Sequence, residues 1–212
     1  MTPLRRKASP LIEVPRNLSV FINCPFDQEY ECLFRGVVFA TLACGFWPRS
    51  ALETGTASVG RLERIKHALV HSKYSIHDLS RCRGEALGNF ARFNMPLELG
   101  IAMGLNFAEP LNLNKHDWLP LVPEGHAYVG YISDLAGFDP LKHDQTIESL
   151  VSAVMSWLAT RADAPETPAP SAVLDRLPAF EKRCESLSKQ WNGRLPWTHL
   201  LGAANEFAAH IP

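Results

Sequence analysis

"LSVFINC", residues 18–24, is a short apolar run that stops at Pro25. A run of that length bounded by a proline is the mark of a buried strand. Downstream, Leu33, Val37, Ala40 and Cys44 fall at helical spacing, with Gly45 as a fitting stop. "GFWPRSA", residues 45–51, reads as a second short strand ending at Pro48. Leu62, Ile65, Ala68 and Leu69 mark a second helix, and "KYSIHDLS", residues 73–80, a third strand. An apolar helix around Glu98 comes next, then "DWLPLVP", residues 117–123, as a fourth strand. Ile147, Leu150, Val151, Val154 and Leu158 share one face of an amphipathic helix. Strands that alternate with helices imply a parallel α/β sheet covered on both sides.

The chain of 212 residues is long enough for one ordinary domain and an appendage. A formal net charge of −1 and a pI near 6.7 argue against a coat for nucleic acid or for an anionic membrane, so neither is an expected partner. Five scattered cysteines without a CxxC pair suit free thiols in a reducing compartment. No apolar run is long enough to span a bilayer, and "MTPLRRKASP" has no apolar stretch behind its basic residues to make a secretory signal. The expectation is a soluble, cytoplasmic protein.

Residues 1–16 carry three prolines and a basic cluster, the composition of a disordered lead-in. The main domain is expected over 17–161, followed by a Pro/Ala-rich linker, "ADAPETPAPSA", at 162–172. Within 173–212, Phe180, Cys184, Leu187 and Trp191 make one helical stripe that stops at Asn192-Gly193. Trp197, Leu200, Leu201, Ala204 and Ala208 make another, so this end reads as a helical hairpin. It is too small to fold alone and is expected to pack on the main domain or on a second subunit. No internal repeat is found.

One residue breaks the pattern. From Met95 to Leu105 every side chain of "RFNMPLELGIAMGLNF", residues 92–107, is apolar or absent except that of Glu98. On a helical wheel it falls beside Ile101, Ala102 and Leu105, in the middle of an apolar arc. A carboxylate there loses hydration, which raises its pKa unless a cation or donors answer it. The plain alternative is a helix-start acid: Asn94 as N-cap, Pro96 in the first turn, and Glu98 complementing the helix dipole.

Position favours a site. In open parallel α/β sheets ligands bind beyond the carboxyl ends of the strands. The rim there receives "NCPFD" after strand one, "PRSALE" after strand two and "HDLSRCR" after strand three, bringing Asn23, Asp27, Arg49, His77, Asp78, Arg81 and Arg83 to one end of the sheet. Acids suit sugar hydroxyls and guanidinium forks suit phosphate. Arg49, Arg61, Arg81, Arg83 and Arg92 together favour a phosphorylated ligand over a plain nucleoside.

Other motifs carry less. "GTASVGR", residues 55–61, lacks the Lys-Ser/Thr of a phosphate loop and does not follow the first strand. His67 and His71 stand one helical turn apart without a third ligand in view, so no metal is expected. Cys24 reads as a core thiol, and the two acids of "YISDLAGFD", residues 131–139, have no legible role.

"SIHDLSR" followed by "FNMPLELGIAMG" resembles the nucleoside 2-deoxyribosyltransferase signature, an aspartate ending a strand and then an E-L-G helix start. "VFINCPFD" is similar to the first strand and turn of that superfamily, and bacterial TIR-like nucleotide-binding proteins share the layout. The resemblance covers about residues 18–160, with "NMPLELG" its specific element. It implies a flavodoxin-like fold and an enzyme that breaks an N-glycosidic bond in a nucleotide, NAD being the first guess, without a bound cofactor. Glu98 would act at the anomeric carbon, and Asp78 would bind sugar hydroxyls or protonate the leaving base. Asn23, Pro25, Phe26, Asp27, Arg49, Arg61, Arg81, Arg92, Asn94 and Met95 would bind the substrate. The transferases carry an acid where this sequence has Asn94, which leaves the proton donor open. The resemblance also implies a homo-oligomer, and among TIR-like proteins a phage-defence effector. A deoxyribosyltransferase, a deoxynucleotide N-hydrolase and a non-catalytic nucleotide sensor remain the alternatives.

Overall fold

The structure is a computed structural model that describes residues 14–53, 58–82, 94–109, 111–112, 114–125, 128, 132–193 and 195–211. Five strands, β1 Ser19–Asn23, β2 Trp47–Arg49, β3 Tyr74–Asp78, β4 Asp117–Pro123 and β5 Leu141–His143, form one sheet in the order β2-β1-β3-β4-β5. Every adjacent pair is parallel. The helices between and after them are α1 Glu31–Ala43, α2 Arg61–Val70, α3 Asn94–Phe107, α4 Ile147–Ala159, α5 Pro170–Gln190 and α6 Trp197–Ala208. This is the flavodoxin-like α/β architecture.

Alternation along the strands sorts the helices into two layers. Val20 and Ile22 of β1 and Tyr74 and Ile76 of β3 face the larger core, which α1, α4, α5 and α6 cover. Phe21 of β1 turns the other way, onto Ile65 and Leu69 of α2 and Ala102 of α3. Val122 of β4 meets Met95 and Leu99 of α3 on that same face. β1 and β3 are buried along their whole length, as a sheet covered on both faces requires.

Prolines in the strands stand where the ladder has no use for their missing N–H. β2 runs one residue past Pro48, and it is an edge strand. In β4 the backbone of odd-numbered residues turns to β3, as the Asp117 N–H to Lys73 carbonyl and Leu79 N–H to Leu121 carbonyl bonds show. Pro120 therefore points its nitrogen at β5, which pairs only from Leu121 onward. Pro123 points its nitrogen at β3, which ends opposite Leu121.

α1 stops at Gly45 as expected. Gly45 has φ +75 and donates to the Leu42 carbonyl at 2.9 Å, and a Cβ on it would meet Pro165 Cγ at 2.6 Å. The expected linker is held at its beginning: Asp163 accepts from Lys73 Nζ at 2.5 Å and from the Tyr74 hydroxyl at 2.6 Å. α5 opens at Pro170 inside that stretch. The hairpin turn carries Asn192 at φ 52 and Gly193 at φ 84, with the Gly193 N–H on the Ser188 carbonyl at 2.9 Å.

The hairpin packs on the main sheet's own helical layer. Phe180 stacks on Phe39 of α1 with centroids 4.7 Å apart, and Cys184, Leu200 and Ala204 join the core beneath it. Two local readings shift. Asn94 is the first residue within α3, so it is not its cap; residue 93 lies outside the described residues. Within "YISDLAGFD", Ser133–Gly137 is a 3-10 helix whose Leu135 packs under α3, and β5 follows it.

Candidate functional site

Sheet order places the crevice. From β1 the chain moves through α1 to β2 on one side, then crosses back through α2 to β3 on the other. The carboxyl ends of β1 and β3 thus sit at the switch point where such folds bind ligands. Asn23 ends β1 and His77 and Asp78 end β3, with Asn23 directly opposite His77.

Glu98 sits in the second turn of α3 and is 3% exposed. Burial pushes its carboxyl up to about 7, while Arg61 pulls in the other direction. The Arg61 guanidinium lies 3.5 Å from Glu98 Oε1, and its own side chain is 50% exposed. The same guanidinium stands 6.0 Å from the centre of the Phe26 ring. Glu98, Arg61 and Phe26, drawn from α3, α2 and the β1–α1 loop, therefore form one cluster. A carboxyl poised near neutrality, beside a cation that water can reach, can hold a developing positive charge or exchange a proton.

Asn23 is fixed from beneath by a chain of hydrogen bonds. Its Nδ2 contacts His77 Nδ1 at 3.0 Å and the Met95 carbonyl at 3.1 Å. His77 Nε2 contacts Ser75 Oγ at 2.8 Å, Ser75 Oγ contacts His116 Nε2 at 2.8 Å, and His116 Nδ1 contacts the Ser72 carbonyl at 2.9 Å. Burial lowers His77 to about 3 and His116 to about 4, so both are neutral near pH 7. The far end then decides every proton. A carbonyl only accepts, so His116 carries hydrogen on Nδ1 and accepts on Nε2 from the Ser75 hydroxyl. Ser75 in turn accepts from His77 Nε2–H, which leaves His77 Nδ1 to accept from the Asn23 amide. The amide orientation of Asn23 follows, and its Oδ1, buried, has no hydrogen-bond partner among the described residues.

Asp78 is fully buried on the opposite side of the sheet. Oδ1 accepts from the Ser80 backbone N–H at 2.8 Å and from the Ser80 hydroxyl. Oδ2 accepts from the Tyr30 hydroxyl and lies 3.1 Å from His143 Nε2. His143 Nδ1 accepts from the Gln145 N–H at 3.2 Å, and its Nε2 also lies 3.4 Å from the Ser80 hydroxyl. Three hydrogen-bond donors, the Tyr30 hydroxyl and the N–H and hydroxyl of Ser80, thus hold the carboxylate inside the fold. Cys24 lies against this group, and burial with the Asp78 charge pushes its thiol well above the ordinary range, as an inert core thiol should behave.

The remaining candidates distribute around the rim. Arg81 bridges the loops after β1 and β3, to Asp27 at 3.3 Å and Glu29 at 2.9 Å. Asp27 also accepts from the Tyr30 N–H at 3.0 Å, ahead of α1. Arg49 pairs with Glu53 at 3.3 Å, and its Nε is buried without a hydrogen-bond partner among the described residues. Met95 is buried and serves through its carbonyl, whereas the Asn94 side chain is exposed. Pro25, Phe26 and Asp27 line a cavity beside α1. Arg83 and Arg92 lie outside the described residues.

Five contributors escape sequence reasoning: Tyr30, Ser75, Ser80, His116 and His143. Ser75 alternates with His77 along β3, which the period of two makes visible. His143 ends a three-residue strand whose one apolar residue is Leu141, and Tyr30 precedes a helix whose apolar face gives no hint of its hydroxyl's role. His67 and His71 stack their rings 4.1 Å apart, and no metal-ligating group of three or more occurs among the described residues.

Fold and site together define a flavodoxin-like α/β protein with a buried carboxyl at the β1/β3 switch point. Compared with known proteins, the chain matches no protein-family model and no curated protein. No helix among the described residues is long and apolar enough to cross a membrane.

Proposed function

We propose that this protein cleaves the N-glycosidic bond of a nucleotide, with Glu98 at the anomeric carbon and NAD as the first substrate. The observation that carries the reading is the Glu98 carboxyl itself, raised to about 7 by burial and set 3.5 Å from the water-accessible Arg61. A carboxylate in low dielectric stabilises positive charge on C1′ far better than one in water. As the C1′–N bond breaks, its electron pair leaves with the base; water then adds at C1′ and gives up its proton. Glu98 holds the cation, or bonds to C1′ until water displaces it.

The burial of Asp78 bears on the substrate. Fully buried and already hydrogen-bonded to the Tyr30 hydroxyl and to the N–H and hydroxyl of Ser80, Asp78 is out of reach of a sugar hydroxyl or a leaving base. Its part in this reading is to hold the rim, tying Tyr30, Ser80 and β5 together. Nicotinamide in NAD is already cationic at the bond to be broken and departs neutral, so it needs no proton donor. A purine or pyrimidine does need one. That difference favours NAD over a deoxynucleoside and over transfer to a second base.

A second reading, a nucleotide-binding sensor without chemistry, draws on the same burial of Asp78. Incubation with NAD, with nucleoside monophosphates, and with deoxynucleosides plus a free base, followed by chromatography, tests the proposal. Nicotinamide from NAD is the expected product. Binding of a nucleotide with no base released from any of the three sets would favour the sensor. A homo-oligomer, and a role as a triggered defence effector, belong to the same proposal through the resemblance.

A further inference from the structure

Beside the crevice lies a half-open cavity of about 890 Å³, between the β1–α1 loop, the start of α1 and the turn that joins α5 to α6. That is the size of an ordinary small-molecule pocket. Its walls are aromatic. Phe26 meets Phe34 edge-on at 5.3 Å, Phe34 lies 6.1 Å from Trp197, and Trp191 closes the far side. Trp191 is 47% exposed and Phe26 38%, so both keep open ring surface, and the Trp191 ring rests edge-on against His199 at 4.8 Å.

Charge on these walls is already answered. Arg35 pairs with Glu31 and, at 3.2 Å, with Glu181, and Asp27 pairs with Arg81. An aromatic slot with paired charges suits a neutral planar ring better than a phosphate. Gln28, also on the wall, supplies both a donor and an acceptor. Phe26 is the shared boundary with the Glu98 cluster, because Arg61 stands over its ring while reaching Glu98.

We propose that this cavity is the subsite for the second aromatic base of a dinucleotide-type ligand, whose scissile sugar lies at Glu98 and whose bridging phosphates lie against Arg61. The proposal rests on the N-glycosidic reading for what occupies the Glu98 end, but the subsite can be tested without any turnover. The appended hairpin then has a purpose in recognition: it adds Trp191 and Trp197 to a wall that Phe26 and Phe34 begin.

The experiment is equilibrium dialysis of 5′-AMP against the full chain and its Trp191→Ala and Trp191→Phe variants. AMP should bind the wild type, and Trp191→Ala should weaken it roughly tenfold or more, as loss of a stacking platform does. Trp191→Phe should restore most of the affinity. Absence of AMP binding to the wild type, equal binding by Trp191→Ala, or a loss in Trp191→Phe as large as in Trp191→Ala would each overturn the subsite. Trp191 is half exposed at a helix end, so its replacement leaves the fold in place. No base is released in this measurement, so an inert Glu98 and an empty subsite give different results.

Discussion

A carboxyl held near 7 costs the fold something that depends on pH, and Glu98 makes the sign testable. Its folded value, about 7, lies above the ordinary 4.5. The protonated form is therefore favoured by folding. Any stability it contributes is complete below about pH 4.5 and is lost as pH rises to about 7. Glu98→Gln, which cannot ionise, should match the wild type near pH 4 and exceed it at pH 8 by about 3 kcal/mol at most. Urea denaturation at the two pH values reads this directly, and equal stability at both would place Glu98 in water. His77 and His116 carry the opposite sign, since burial lowers them to about 3 and 4. Their stability is present above about pH 6.5 and falls as pH drops toward 4, because the unfolded chain takes up protons first. Ser75→Ala removes the link between them and leaves two buried ring nitrogens, His77 Nε2 and His116 Nε2, unsatisfied, at a cost of about 1–3 kcal/mol each by the same measurement. Glu98 was legible in the sequence because one polar residue in an apolar helix has no cheap explanation. The setting of Asp78 was legible only in part: Ser80, two residues on, is the ordinary partner of an Asx turn, whereas Tyr30 and His143 come from distant segments that no spacing links to it.

Elements were read from periodicity where it is strong. β1, β3 and β4 are long enough to show as apolar runs, and α1, α2 and α4 as faces. β5, Leu141–His143, hides because Leu141 is its one apolar residue, whereas β2, equally short, is announced by Phe46 and Trp47. Only the register shows why β4 accepts Pro120 and Pro123, since a proline's tolerance depends on which neighbour its nitrogen would face. Gly45 shows the converse, a single residue whose meaning was visible at once. Gly45→Ala forces a side chain into φ +75 and against Pro165, and should destabilise the fold by about 2 kcal/mol. Thermal unfolding would show it as a lowered midpoint, and an unchanged midpoint would mean that the α1–β2 turn does not need glycine.

At the scale of the whole molecule, the hairpin and the sheet share one core, and this has a mechanical consequence. Phe180 on α5 is fully buried against Phe39 of α1. Phe180→Ala should cost about 3–5 kcal/mol and should do so in a single cooperative transition. Two separate transitions would show instead that the hairpin unfolds alone. The hairpin's two stripes were legible, but the cavity it forms with the β1–α1 loop was not, because a cavity arises from how elements dock rather than from any one of them. The same docking brings Phe26, Arg61 and Glu98 to the end of the sheet where the β1/β3 crevice opens. The most direct test of that assembly is nicotinamide formation from NAD by the wild type and by Glu98→Gln, with NAD affinity measured on both. The account predicts that the variant loses at least a hundredfold in rate while its affinity changes only a few-fold. Equal rates in the two proteins, with NAD bound alike, would contradict it.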